Sequence, residues 1–566
     1  MNTKSSINTR SSTTLEGPAS AKSRRNAPAA MTPRAISAPL EPVLDMEDIQ
    51  GIATPGFFKP HQTLLYVRVP DGREALLHFK AWLGAMATGV ATAGLTLIDR
   101  RRHRGASEAA LRRLGAHAPV LVAVGLSSKG LSRIAPSAYE IPSVAFKSGL
   151  AARSALLGDP TDPAAEGHPS KWVVGGAGQE LDAIVIVAGD TRPRVSARAA
   201  QIQQALTAVG SDVTSEDGDV RADAPGHEHF GFNDGVSQPG IRGRASSKPT
   251  DFITERYIHP SEIPAAWLYG YPGQDLVWPG EFVLGYPATS PDPLIAGPPI
   301  EGLPDWTRNG SFLVYRRLRQ DVSAFWTTMK SEAERIASHP GFANLDYQRL
   351  AALLVGRSQS GAPISRVPAG THPRLGNDQF ANNHFRFDSD TPPLRLNFKY
   401  RDPFPRAHAD PVGKTCPLAA HIRKVNTRDS ASDMGARSST YDRRVLRVGV
   451  PFGRPLENPF VESAADPERG NRGLLFLSIQ ASIEQQFEFL QSRWINDDAR
   501  PKMPSGNDMI VGQKTAAPNG IRRCTLFGRA FEQAEVRTDA QWIIPTGGGY
   551  FFIPSISTLR NVLAAP

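Results

Sequence analysis

Glu228-His229-Phe230-Gly231-Phe232-Asn233-Asp234-Gly235-Val236-Ser237-Gln238-Pro239 is the segment from which the rest of the sequence can be ordered. Its centre, Gly231 to Gly235, has the form G-x-x-D-G. Taken alone, five such residues read equally well as an Asp-Gly turn, and a motif this short arises by chance. The alternative is chemical: an aspartate set in a glycine-flanked turn is a candidate proton acceptor. The neighbouring His227-x-His229 supplies only two potential metal ligands, too few to define a site, and reads as structural.

Two later segments add weight. Cys416-Pro417-Leu418-Ala419-Ala420-His421-Ile422-Arg423-Lys424 places one histidine between an apolar run and a basic pair. Arg447-Val448-Gly449-Val450-Pro451-Phe452-Gly453 follows the basic run that begins at Arg443. Without that tail, Arg447 would read as an ordinary surface arginine. Leu474 and Phe476, two apart in the apolar run Gly473–Ser478, share one face of a strand and suit either a pocket wall or plain packing.

Taken in order, these segments resemble the dye-decolorising peroxidases, a family of haem enzymes. Gly473–Phe476, the helix-like Gln480–Trp494, Gly547–Ser557 and Val124–Leu131 are similar to that family as well, so the resemblance spans roughly 60–560. The long stretches within 245–400 point to its larger subgroup. The resemblance implies an α+β fold of two ferredoxin-like domains, each an antiparallel sheet with helices, with haem in the C-terminal one. It implies one haem b per chain, with His421 as axial ligand and Asp508 as acceptor for its second ring nitrogen, although Met509 stands where proline is commoner. Asp234 would move the proton of hydrogen peroxide, and Arg447 would stabilise developing charge. Arg428 would sit near a haem propionate, and Leu474 and Phe476 would roof the pocket. The implied partners are hydrogen peroxide and aromatic donors such as dyes and phenols. A haem-binding or haem-delivery protein without turnover is the alternative, and it would need neither Asp234 nor Arg447.

Composition agrees with a globular enzyme. The chain has 566 residues, 40% hydrophobic and 21% charged, and its 50 glycines and 48 prolines predict many turns. Two cysteines exclude a disulfide framework and a cysteine-rich zinc site. More than half of the net charge of +9 falls within residues 1–40, where six basic residues face only Glu16. That Ser/Thr/Ala/Pro-rich stretch lacks the apolar content to form a core, so residues 1–45 are expected to be a disordered basic tail. The remainder is too mildly basic to indicate nucleic acid. The domains are expected at 46–250, carrying the GxxDG segment, and at 251–566, binding haem. Strands are expected at 62–69, 119–126, 181–188, 311–318, 473–478 and 550–553, with helices at 73–84, 197–209, 322–332 and 483–493. Ala81–Ile98 lacks charge over 18 residues but carries three glycines, and reads as a buried helix running into a strand rather than a membrane span. With no signal peptide seen, cytoplasmic is the default location; the oligomeric state is left open.

Overall fold

The apolar runs Leu121–Leu126 and Ala183–Gly189 are buried at every position, as they must be in a sheet covered on both faces. The computed structural model describes residues 39–104, 118–135 and 140–565, apart from 399 and 467. The basic segment 1–38, and the disorder expected of it, lie outside these residues. Twelve strands occur among the described residues: β1 (His61–Arg68), β2 (Leu121–Leu126), β3 (Ala183–Gly189), β4 (Asp212–Asp219), β5 (Gly240–Ile241), β6 (Leu276–Val277), β7 (Ser311–Gln320), β8 (Leu446–Phe452), β9 (Gly473–Gln480), β10 (Arg522–Phe527), β11 (Gln533–Thr538) and β12 (Ile543–Ile553).

Eight of them form one sheet in the order β4-β1-β3-β2-β12-β7-β9-β8. The first four and the last four repeat the same arrangement, with the fourth strand outermost beside the first, then the third, then the second. All pairings are antiparallel, and the seam between the halves is the single pair Phe552–Leu126 of β12 and β2. This is the expected α+β architecture of two ferredoxin-like halves. The outer strands β4 and β8 approach one another: a methyl added at Gly218 would meet Val450 Cγ1 at 2.6 Å.

Alternate side chains go to opposite cores. Leu65, Val67, Val122, Val124, Val185 and Val187 pack under Phe79 and Leu83 of the helix Arg73–Met86 and Ile202 and Leu206 of the helix Arg192–Ala208. Leu64, Tyr66, Leu121, Ala123, Ile184 and Ile186 face inward, with Val450, Leu475 and Leu477 of the other half.

Two expectations are corrected. Ala81–Ile98 is not a helix running into a strand: the first helix ends at Met86, and a second, Ala93–His103, begins where Thr92 Oγ1 accepts the Leu95 amide at 3.0 Å. No helix among the described residues is long and apolar enough to cross a membrane. The C-terminal end of the expected tail belongs to the folded body. Leu44 is buried, and the Glu41 carboxylate pairs with Arg256 at 2.8 Å and with Arg242 at 3.4 Å.

Because the Arg242 side chain is wholly buried, Glu41→Ala would strand a guanidinium without its counter-charge. Breaking a buried pair from one side costs about 3 kcal/mol or more. A lowered denaturation midpoint of that size is the expected result, measured by urea titration against wild type.

Candidate active site

The register of three strands builds one wall of a cavity. Arg447, Gly449 and Pro451 on β8 stand opposite Ser478, Phe476 and Leu474 on β9, and the last two stand opposite Arg316 and Leu318 on β7. Residues opposite one another in a sheet share a face, so Arg447, Leu474, Phe476, Arg316 and Leu318 project together, and all five line a cavity of about 300 Å³. Asp234, Glu228, His421, Arg357 and Arg428 line it too. The structure thus brings six of the seven residues singled out in the sequence to one space. The seventh, Asp508, lies buried directly behind His421.

Asp234 is anchored from several sides. Its Oδ1 accepts from Arg447 Nη1 at 2.6 Å and from the Gly235 amide at 2.7 Å, while its own amide donates to Gly226 O at 2.9 Å. Burial pushes this carboxyl up, but the charge and hydrogen bond of Arg447, the Gly235 amide and His421 outweigh it, and Asp234 is held below the ordinary aspartate range. Gly449 makes the approach possible: a Cβ there would lie 2.8 Å from Asp234 Oδ2.

His421 opens the short helix His421–Val425. Its Nδ1 is 2.8 Å from Asp508 Oδ2, and the other Asp508 oxygen accepts the amides of Ile510 at 2.9 Å and Val511 at 3.1 Å. Burial again raises the carboxyl, and His421 with these amides brings it below the usual value. A fully buried carboxylate fixed in this way accepts a hydrogen bond from Nδ1–H and leaves the Nε2 lone pair free to bind a metal.

Of three further features at the cavity, Arg428 was singled out in the sequence, and Arg357 and Glu228 were not legible beforehand. Arg357 and Arg428 are buried guanidiniums with no carboxylate partner among the described residues. Arg357 donates to Gly361 O and Asn382 O, both at 2.8 Å; Arg428 donates to Asn383 O at 3.1 Å, and both reach Asn383 Oδ1. Burial, and for Arg357 the neighbouring Arg428 and Arg447, pushes each down to about 9. Two uncompensated cations on a cavity wall fit the carboxylates of a haem, and a free imidazole nitrogen fits its iron. The third feature is Glu228, whose oxygens accept the amides of Phe230 and Phe232 at 2.8 Å each and whose carboxyl is pushed up by burial to about 7. Glu228 lay within the quoted segment, but nothing in it marked this role; Arg357 lay in a polar stretch without any signal. The His227-x-His229 pair is split: His227 Nδ1 faces Pro225 O at 3.0 Å, and buried His229 holds Phe452 O through Nε2 at 2.9 Å.

Residues 48–222 match the family model described as the DyP dimeric alpha+beta barrel domain. The dye-decolorizing peroxidase of Mycena epipterygia is 30% identical over 438 residues, covering 74% of this chain and 72% of that one. The chain belongs to the dye-decolorizing peroxidase family. The enzyme of the same name from Auricularia auricula-judae is also 30% identical, over 70% of this chain and 68% of its own. Among solved structures, an ancestral D-type dye decolorizing peroxidase superposes with a TM-score of 0.68 at 29% identity, covering 92% of this chain and all of its own. This dye-decolorizing peroxidase is therefore a haem-dependent oxidoreductase that reduces hydrogen peroxide and oxidises aromatic donors, and the haem-carrier alternative gives way.

Gly449→Ala perturbs the Asp234 side of the cavity, since the added methyl would lie 2.8 Å from Asp234 Oδ2 and 3.0 Å from Leu474 Cδ2 and both side chains must give way. Displacement of about 1 Å costs up to about 100-fold. Stopped-flow mixing with peroxide should show a second-order rate constant reduced about 10- to 100-fold, with haem content unchanged.

Proposed function

We propose that the chain would hold one haem b in its C-terminal half, beyond a domain boundary near residue 250, with His421 as the residue that would bind the iron and Asp234 and Arg447 as the groups that act on peroxide. The carrying observation is the 2.6 Å contact between Arg447 and Asp234 in a cavity shared with an imidazole whose Nδ1 is held by Asp508. When bound, haem supplies an iron centre that takes two oxidising equivalents from peroxide and passes them singly to donors.

The protein's part is acid–base and electrostatic. Ionised Asp234 is placed to accept a proton from one peroxide oxygen and return it to the other. Arg447 offsets the negative charge that builds on the departing oxygen. Asp508 accepts the hydrogen bond of His421 Nδ1–H, so Nε2 presents its lone pair and the ring is made more electron-rich. Arg428, with Arg357 beside it, holds the anionic edge of the cofactor. Leu474 and Phe476 keep water from the reacting oxygens. The donors are small aromatic molecules; a solved dye-decolorizing peroxidase carries 2,6-dimethoxyphenol.

His421→Ala is expected to lose haem or to change its ferric absorption spectrum; a wild-type spectrum and haem content would contradict the ligand assignment. Asp234→Asn and Arg447→Leu should keep haem and slow the reaction with peroxide by about 100- to 10,000-fold, the range of acid–base and electrostatic catalysis.

The sign of the pH dependence follows from the lowered Asp234. The active form is the carboxylate, so wild-type kcat/KM for peroxide should persist below the ordinary aspartate value of about 3.9 and fall as pH drops through the native one. In Arg447→Leu the raising effect of burial is left with less to oppose it, and the acid limb should move up. An unmoved limb would remove Asp234 from the assignment.

A further inference from the structure

The strand that carries Arg447 is an edge: β8 pairs with β9 on one side and, among the described residues, hydrogen-bonds to no strand on the other. Its outer main-chain groups need partners. At Arg447 a single side chain provides both. Gln238 Oε1 accepts from Arg447 N at 3.2 Å, and Gln238 Nε2 donates to Arg447 O at 2.7 Å. A primary amide carries the same donor–acceptor pair as a peptide group, so Gln238 takes the place of a neighbouring strand at that one residue.

The consequence is geometric. Asp234, four residues earlier in the same segment, holds the Arg447 guanidinium. Backbone and side-chain tip of Arg447 are therefore fixed to one stretch of chain. His229 ties the far end of β8 to that stretch through Phe452 O at 2.9 Å, and Glu228 pins the intervening turn through the Phe230 and Phe232 amides. An arginine side chain has many rotamers to lose when it is fixed in one. Holding its main chain removes one source of drift, and catalytic groups tolerate only about 0.5 Å of misplacement.

We infer that Gln238 is a positioning residue that sets the reach of Arg447 toward Asp234 by bridging the Arg447 main chain. This rests on the peroxidase reading above. It assigns Gln238 no contact with peroxide. The charged groups facing Asp234 are Arg447 from β8, His421 from its helix and Glu228 from its own segment. Of these, only Arg447 is held by Gln238.

The test uses the haem-loaded full chain and Gln238→Met, which keeps length and flexibility and removes both hydrogen bonds. The rate constant for hydrogen peroxide should fall about tenfold or more, and the acid limb of its pH profile should move up. The KM for 2,6-dimethoxyphenol, haem content and ferric spectrum should stay as in wild type. A merely structural glutamine would lower the melting temperature and haem content and leave the limb in place, which would overturn the assignment. Gln238→Asn, one methylene too short to span both atoms, should behave alike and serves if the methionine variant does not fold. In an Arg447→Leu background Gln238→Met should cost nothing further; losses that multiply would contradict action through Arg447. A wild-type rate in Gln238→Met beside an impaired Arg447→Leu overturns the positioning role alone, whereas a wild-type rate in Arg447→Leu overturns the peroxidase mechanism itself.

Discussion

Covering both faces of a single eight-stranded sheet is the constraint on which the rest of this structure depends. Each half repeats the same strand order, and neither half closes alone: β12 of the second extends the sheet of the first beyond β2, while β4 and β8 are brought together at Gly218 and Val450. One face looks into a core shared by both halves. The other is roofed by helices, and in the second half part of that roof is replaced by the cavity. The alternation of side chains along β8 and β9 does the sorting. Val450 and Leu475 go to the shared core, while Arg447, Leu474 and Phe476 go to the site.

A slip of one residue in either strand would exchange these sets, so the packing of Val450 and Leu475 fixes where Arg447 points. The same cavity carries an unusual charge load. Arg357 and Arg428 are buried with carbonyl, amide and Phe385-ring partners but no carboxylate among the described residues, and Arg447 has a single carboxylate there. Such an arrangement is costly in an apolar space and is relieved by an anionic ligand. Asp234 and Asp508 show the complementary device: burial pushes each carboxyl up, and specific donors bring each below its usual value. Stability is given up at the cavity, and the sheet beneath supplies it.

Much of this was legible in the sequence, for identifiable reasons. β2 and β3 stood out because strands covered on both faces are continuous apolar runs. β4, Asp212–Asp219, did not: as an outer strand it carries Glu216, Asp217 and Asp219, whose charges are met by Arg317 and Arg192 from elsewhere in the chain. The strand expected at the end of Ala81–Ile98 is instead the start of the helix Ala93–His103, where the Thr92 cap closes the first turn. His421, Asp234 and Arg447 were found through their neighbours. The pairing of His421 with Asp508, 87 residues away, was expected from resemblance. Arg357 and the bridge made by Gln238 could not be read, since a buried guanidinium and an edge-strand partner are defined by the fold and have no local pattern.

The central claim is that the chain presents His421 to one side of a haem and the Asp234–Arg447 pair to the other. A crystal structure of the haem-loaded protein tests it most directly. The expected result is iron bonded to His421 Nε2, the Nδ1 bond to Asp508 retained, and Asp234 and Arg447 over the opposite face of the ring with their mutual contact intact. Iron bound through another residue, or Asp234 and His421 on the same face, would contradict it.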